Sequence, residues 1–104
     1  MPNRTNEIPP DLQKVLTQLR ELNPTLQDKW GVRVLGVFGS TAREEALPKS
    51  DIDILFDYDK PIGLEIVTLG DFLEAQLGHK VDLLSKSAIR AKVWPYIKED
   101  IRYV

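Results

Sequence analysis

Along the first part of the chain the apolar residues recur in steps of three and four. In DLQKVLTQLREL, residues 11–22, Leu12, Val15, Leu16, Leu19 and Leu22 form one stripe along a helix. Pro10 and Asp11 suit its opening, since proline and acids are both at home in a first turn. Asn23-Pro24 predicts an interruption, because the residue before proline is pushed out of the helical region. TLQDKW then adds a short further turn that Gly31 ends. At Val32 the period changes. VRVLGVF, residues 32–38, is a largely apolar run between glycines and reads as a buried strand. SDIDILFDY is a second strand closed by the turn Asp59-Lys60-Pro61. In IGLEIVTLGDFLEAQLG, Ile62, Ile66, Leu69, Leu73 and Leu77 return to helical spacing, with Gly78 as the stop. KVDLLS predicts a third strand, Ser87 a cap for a short helix through AIRAK, and Trp94-Pro95 a helical turn over PYIKED. IRYV finishes as an edge strand. The order is helix, strand, short helix, strand, helix, strand, helix, which is an α/β domain with a small sheet covered by helices. Residues 1–10, with three prolines, read as a loose arm, and 11–104 as one domain.

Composition changes this picture only by exclusion. A net charge of -2 gives no electrostatic ground for direct nucleic-acid or membrane binding. No run approaches the roughly 18 apolar residues that cross a bilayer, and the N-terminus lacks the apolar core of a signal peptide. With no cysteine there is neither a disulfide framework nor a thiolate metal site. A soluble, cytoplasmic protein is expected.

The chemistry lies where the pattern is broken. Within the second strand Asp51 and Asp53 share one face while Ile52, Ile54 and Phe56 share the other. Two neighbouring carboxylates repel, and a divalent cation is the simplest compensator. An Asp-x-Asp pair offers the hard oxygen ligands that suit magnesium, which completes its shell from water and substrate phosphate, so a nucleotide is implied with the metal. Asp82 repeats the anomaly in the third strand. If the strands are neighbours it is a third carboxylate, serving either a second metal or as a general base. Gly39-Ser40 follows the first strand and opens a helical stretch, a place where backbone amides hold phosphate and a hydroxyl adds a donor. Arg43, one turn on, either reaches the same phosphates or holds the loop through an acid. Each part alone has a plain structural reading: Gly-Ser usually marks a turn, Thr41 and Glu44 fit a capping box, and a lone Asp-x-Asp is usually a strand edge. The ordered combination is what points to a site. His79 reads as a solvent-facing connector, Trp30 and Trp94 as core or interface aromatics, and Asp57-Tyr58-Asp59 as a solvated strand end.

FGSTAREEALPKSDIDILFDY, residues 38–58, resembles the signature of the minimal nucleotidyltransferase (MNT) domains of the DNA polymerase beta-like nucleotidyltransferase superfamily. The following KPIGLEIVTLGDFLEAQLGHKVDLLSKSAIRAKVWPYIKEDIRYV is similar to the usual MNT tail, so the resemblance runs from about Leu12 to Val104. It implies a nucleotidyltransferase fold with a small mixed sheet flanked by helices, Gly39 and Ser40 at a triphosphate, Asp51 and Asp53 as ligands of two Mg2+ ions, and Asp82 as the third carboxylate. It also implies ATP as donor and a HEPN-domain toxin as partner in a hetero-oligomer. There the MNT chain is the antitoxin, in some cases adenylylating a tyrosine of the toxin. Two alternatives stand beside this: an antitoxin that neutralises by contact alone with a vestigial site, and transfer to a small molecule. The family commonly has glycine after the arginine, where this chain has Glu44.

Overall fold

The computed structural model describes residues 8–104, so most of the expected N-terminal arm, residues 1–7, lies outside the described residues. Helix α1 (Leu12–Trp30) begins where the Asp11 carboxylate accepts the Gln13 amide at 3.2 Å, and it ends at Gly31, whose φ of 64° turns the chain out of the helix. Its buried stripe is Leu12, Val15, Leu16, Leu19 and Leu26. The expected break at Asn23-Pro24 does not occur, and Pro24 lies inside a continuous helix. The reason is tertiary. The Asn23 side chain accepts the Val34 N–H at 2.8 Å and donates to the Val34 carbonyl at 3.1 Å, while Leu26 is fully buried one turn on. These anchors on the neighbouring strand outweigh a proline cost of about 3 kcal/mol.

Strand β1 (Val32–Phe38) runs straight into a four-residue helix, α2 (Gly39–Ala42). Strand β2 (Ile52–Tyr58), helix α3 (Glu65–Leu77), strand β3 (Val81–Ser85), a 3-10 turn (Lys86–Ala88), helix α4 (Trp94–Asp100) and strand β4 (Arg102–Tyr103) follow. The sheet order is β3-β2-β1-β4. β2 pairs antiparallel with β1 and parallel with β3, so α3 is the crossover that a parallel connection requires, and the sheet is mixed. Ile52, Ile54 and Phe56 of β2 join Val32, Val34 and Val37 of β1 in one core with the stripes of α1 and α3. The alternate positions of β2, Asp53, Leu55 and Asp57, point to the other face, where Leu55 is also buried.

Two boundaries depart from expectation. α3 starts at Glu65 rather than Ile62, because Leu64 is 90% exposed and has nothing to pack against, so only Leu69, Leu73 and Leu77 of the stripe are buried. Ser87 caps no helix. Its hydroxyl is hydrogen-bonded to Tyr58 Oη at 2.6 Å and to Ser85 Oγ at 3.2 Å, which ties the 3-10 turn to the end of β2.

Candidate active site

Because β1 is antiparallel to β2 and β3 parallel to it, the end of β1, the start of β2 and the start of β3 lie at one end of the sheet. Phe38 is the cross-strand partner of Asp53, so Gly39, the next residue, sits against that aspartate. On the other side Asp53 is the register partner of Asp82. Partnered residues on adjacent strands share a face, so both carboxylates leave the sheet in the same direction.

Gly39 has φ 72°, a conformation that side chains other than glycine's rarely adopt, and a Cβ there would collide with the Asp53 carboxylate. A hydrogen at this Cα is therefore what lets Asp53 reach the turn. The first intrahelical bond of α2 runs from the Arg43 N–H to the Gly39 carbonyl at 3.1 Å. The amides of residues 40–42 thus have no intrahelical partner. Ser40 is half-buried in that turn.

Burial, the largest cause, together with the negative charges of Asp82 and Asp51 pushes the Asp53 carboxyl up from 3.8 to about 6, with Arg43 pulling weakly the other way. Asp53 is thus a half-buried acid facing two others. Asp51 stands just before β2 rather than within it and is exposed, as is Asp82. Among the described residues no three acidic or imidazole side chains are gathered closely enough to hold an ion between them. The donor chemistry nonetheless fits magnesium, which needs only one or two protein carboxylates, and uncompensated negative charge at Asp53 is what a cation would relieve.

The Arg43 guanidinium donates to Asp100 of α4 at 2.7 Å and lies 3.4 Å from Glu45, so in this structure it holds the loop to the C-terminal helix. Glu44 has φ 59°, making it a left-handed residue that is not glycine, and the capping box with Thr41 does not form: the Thr41 hydroxyl is buried without a partner. His79 is half-buried rather than solvent-facing. Its Nδ1 has no hydrogen-bond partner, and burial lowers its pKa. Trp30 packs on Phe72 at 5.3 Å between ring centres and donates to Thr68, as a structural aromatic would. Asp57 and Asp59 lie at the opposite end of β2, away from this site.

Reading from the sequence missed two lysines. Lys49 and Lys80 line an open cleft with Ser50 and Asp51. The signal was available for Lys80, which immediately precedes the strand carrying Asp82 and is therefore level with the start of β2.

A nucleotidyltransferase domain model matches residues 19–103. MntA, a protein adenylyltransferase of Thermococcus cleftensis, is 37% identical over 95 residues, which cover 90% of this chain and 93% of its own. A solved structure assigned as a minimal nucleotidyltransferase has a TM-score of 0.72 at 26% identity, covering 90% of this chain and 96% of that one. The MntA–HepT toxin–antitoxin crystal structure contains a chain of the same fold, with a TM-score of 0.59 at 17% identity over 84% of this chain and 68% of that one. A match over most of the sequence, with three strand ends converging on Asp53, leads to one statement of identity: this chain belongs to the nucleotidyltransferase domain family.

Proposed function

We propose that this protein is a magnesium-dependent nucleotidyltransferase that moves AMP from ATP to a hydroxyl of a partner protein. The partner is a HEPN-type toxin, restrained in the cytoplasm by this chain as its antitoxin. The observation that carries the reading is the register pairing of Asp53 with Asp82, with Gly39 closed against the Asp53 carboxylate. The acceptor class rests on relatives of the MntA type, and the partner on the MntA–HepT neighbour.

Asp51 and Asp53 are the residues that would hold magnesium. When bound, the ion neutralises charge on the phosphates and on these carboxylates. Gly39 gives the phosphate chain access to the free amides of the α2 turn, and Ser40 adds a hydroxyl donor. The acceptor oxygen bonds to the α-phosphorus as the bond to the β-phosphate breaks, and pyrophosphate leaves. Asp82, level with Asp53, receives the acceptor proton.

One observation favours a second reading, in which the chain neutralises its partner by contact alone: Arg43, expected at the phosphates, is engaged with Asp100. Incubation with the partner, Mg2+ and labelled ATP separates the two. Label on the partner, lost in the Asp51→Asn/Asp53→Asn double variant, supports transfer. No label, with inhibition of the partner intact in that variant, supports contact.

A further inference from the structure

Asp53 is flanked unequally. On the β1 side lies the Gly39–Ser40 turn, and on the β3 side lies a cleft of about 280 Å3 lined by Lys49, Ser50, Asp51 and Lys80. Both lysines are held there by the backbone. The Lys80 carbonyl accepts the Ile52 N–H at 2.9 Å, which fixes residue 80 beside residue 51. The loop before β2 closes on itself, with the Ser50 N–H bonded to the Leu47 carbonyl at 2.9 Å and the Ser50 hydroxyl accepting the Leu47 N–H at 2.8 Å, and this turn presents Lys49. Among the described residues the ion pairs are those of Arg43 with Asp100 and Glu45, so neither lysine is paired with a described carboxylate. Among the residues that line the cleft, two ammonium groups stand with the single carboxylate of Asp51, so cationic side chains border the acidic cluster of Asp51, Asp53 and Asp82 on this flank.

We infer that the Lys49–Lys80 cleft is the acceptor side of the site and that it selects a hydroxyl carried on an acidic peptide segment. The inference rests on the transfer reading above for the direction of approach. If phosphates occupy the Gly39–Ser40 turn, the β3 flank is the side left open, and an acceptor approaching there meets the two lysines before it meets Asp53. Opposite charges along that approach raise the local concentration of an acidic segment and orient its hydroxyl, with a dependence on ionic strength.

The test uses the full chain with Mg2+ and labelled ATP and two synthetic acceptors, EEYEE and KKYKK. Binding of fluorescein-tagged EEYEE is followed by anisotropy alongside the labelling. The expected result is that EEYEE is labelled about tenfold faster than KKYKK at low salt, with the preference shrinking as salt rises. In Lys49→Glu/Lys80→Glu the preference disappears or inverts, and in Lys49→Arg/Lys80→Arg it persists. Equal labelling of both peptides overturns the inference and leaves the transfer reading standing. An unchanged preference in the Lys→Glu variant with weakened ATP binding also overturns it, because the lysines would then serve the donor. Lysine-dependent binding of EEYEE without any labelling supports the inference and removes the transfer reading. Neither binding nor labelling removes both.

Discussion

The strand β2 carries the same motif at both of its ends. Asp51-Ile52-Asp53 opens it and Asp57-Tyr58-Asp59 closes it, and each has a glycine of positive φ on the neighbouring segment: Gly39 beside Asp53, and Gly31 beside Asp59. The surroundings differ. At the closing end Asp59 accepts a hydrogen bond from Gln27 at 2.5 Å, Asp57 accepts the Tyr58 N–H at 2.9 Å and stands opposite Arg33, and a Cβ on Gly31 would lie 3.9 Å from the nearest atom. At the opening end Asp53 is pressed against Gly39 and faces Asp82 and Asp51, with no hydrogen-bond donor of its own among the described residues. An Asp-x-Asp spacing is therefore no signature by itself. What separates a strand terminus from a candidate site is whether the protein supplies the compensation or leaves it to a ligand.

The largest expected effect follows directly. Asp53→Asn lowers transfer of label from ATP by about 10^3-fold, the scale of losing a group that stabilises developing charge. Asp57→Asn and Asp59→Asn, with the same spacing and chemistry, leave the rate within about twofold, since surface changes away from a site have small effects. Equal losses at the two ends would break the comparison, because the acids would then act through stability or general field rather than position.

The paired glycines sharpen it. Gly31→Ala places a side chain in the left-handed region with room around it, which costs about 1 kcal/mol in urea unfolding. Gly39→Ala carries the same strain, and in addition its methyl forces the Asp53 carboxylate to swing away. A loss of about 2 kcal/mol or more is expected, together with most of the transfer activity.

The pH dependence isolates the charge itself. Asp53 has its carboxyl raised from 3.8 to about 6 in the folded protein, so protonated Asp53 favours the fold. That contribution is complete below the unfolded value near 4 and is lost as pH rises through 6. The full difference corresponds to about 3 kcal/mol, and solvent at this half-buried site screens it to about 1–2 kcal/mol. In the metal-free protein the melting temperature is expected to fall between pH 4 and 7. Asp53→Asn removes this slope and melts several degrees higher at pH 8, whereas Asp57→Asn leaves the slope as it is. Added Mg2+ raises the wild-type melting temperature at pH 8 but not at pH 4.5, where the proton competes with the ion.

Much of this was legible in the chain. β1 begins and ends where the valine-rich run does, Gly31 and Gly78 stop the helices as their positions predict, and the departures inside apolar strands lead to Asp53 and Asp82. Two of the departures share one cause. Asn23-Pro24 obeyed β1, through two hydrogen bonds to Val34, rather than its own local preference, and Ser87 found Tyr58 rather than a helix start. Lys49 was invisible for the same reason, since it meets Lys80 only once β3 lies parallel to β2. Local pattern reports the conformations that neighbours in sequence prefer; which polar group finds which partner depends on topology.

Glu44 gives the smallest effect and the finest distinction. It stands where the family resemblance of residues 38–58 leads one to expect glycine, and by charge alone it would act as an acid near the phosphates. Its φ of 59° offers a different account, since the position demands a left-handed backbone and a glycine would meet that demand without strain. Glu44 is exposed, and its amide still donates to the Thr41 carbonyl at 3.1 Å, so the turn is kept at a conformational cost. Glu44→Gly removes about 1–2 kcal/mol of that cost and gives back about 0.4–1 kcal/mol through the freer unfolded chain, a net gain of about 0.5–1 kcal/mol. Glu44→Gln removes the charge and keeps the strain. If the position matters through its backbone, the glycine variant is stabilised in urea unfolding and the glutamine variant is not, with ATP affinity unchanged in Glu44→Gln. If both variants instead tighten ATP binding equally, charge beside the phosphates is the determinant, and the left-handed turn at the opening end of β2 is incidental to the site.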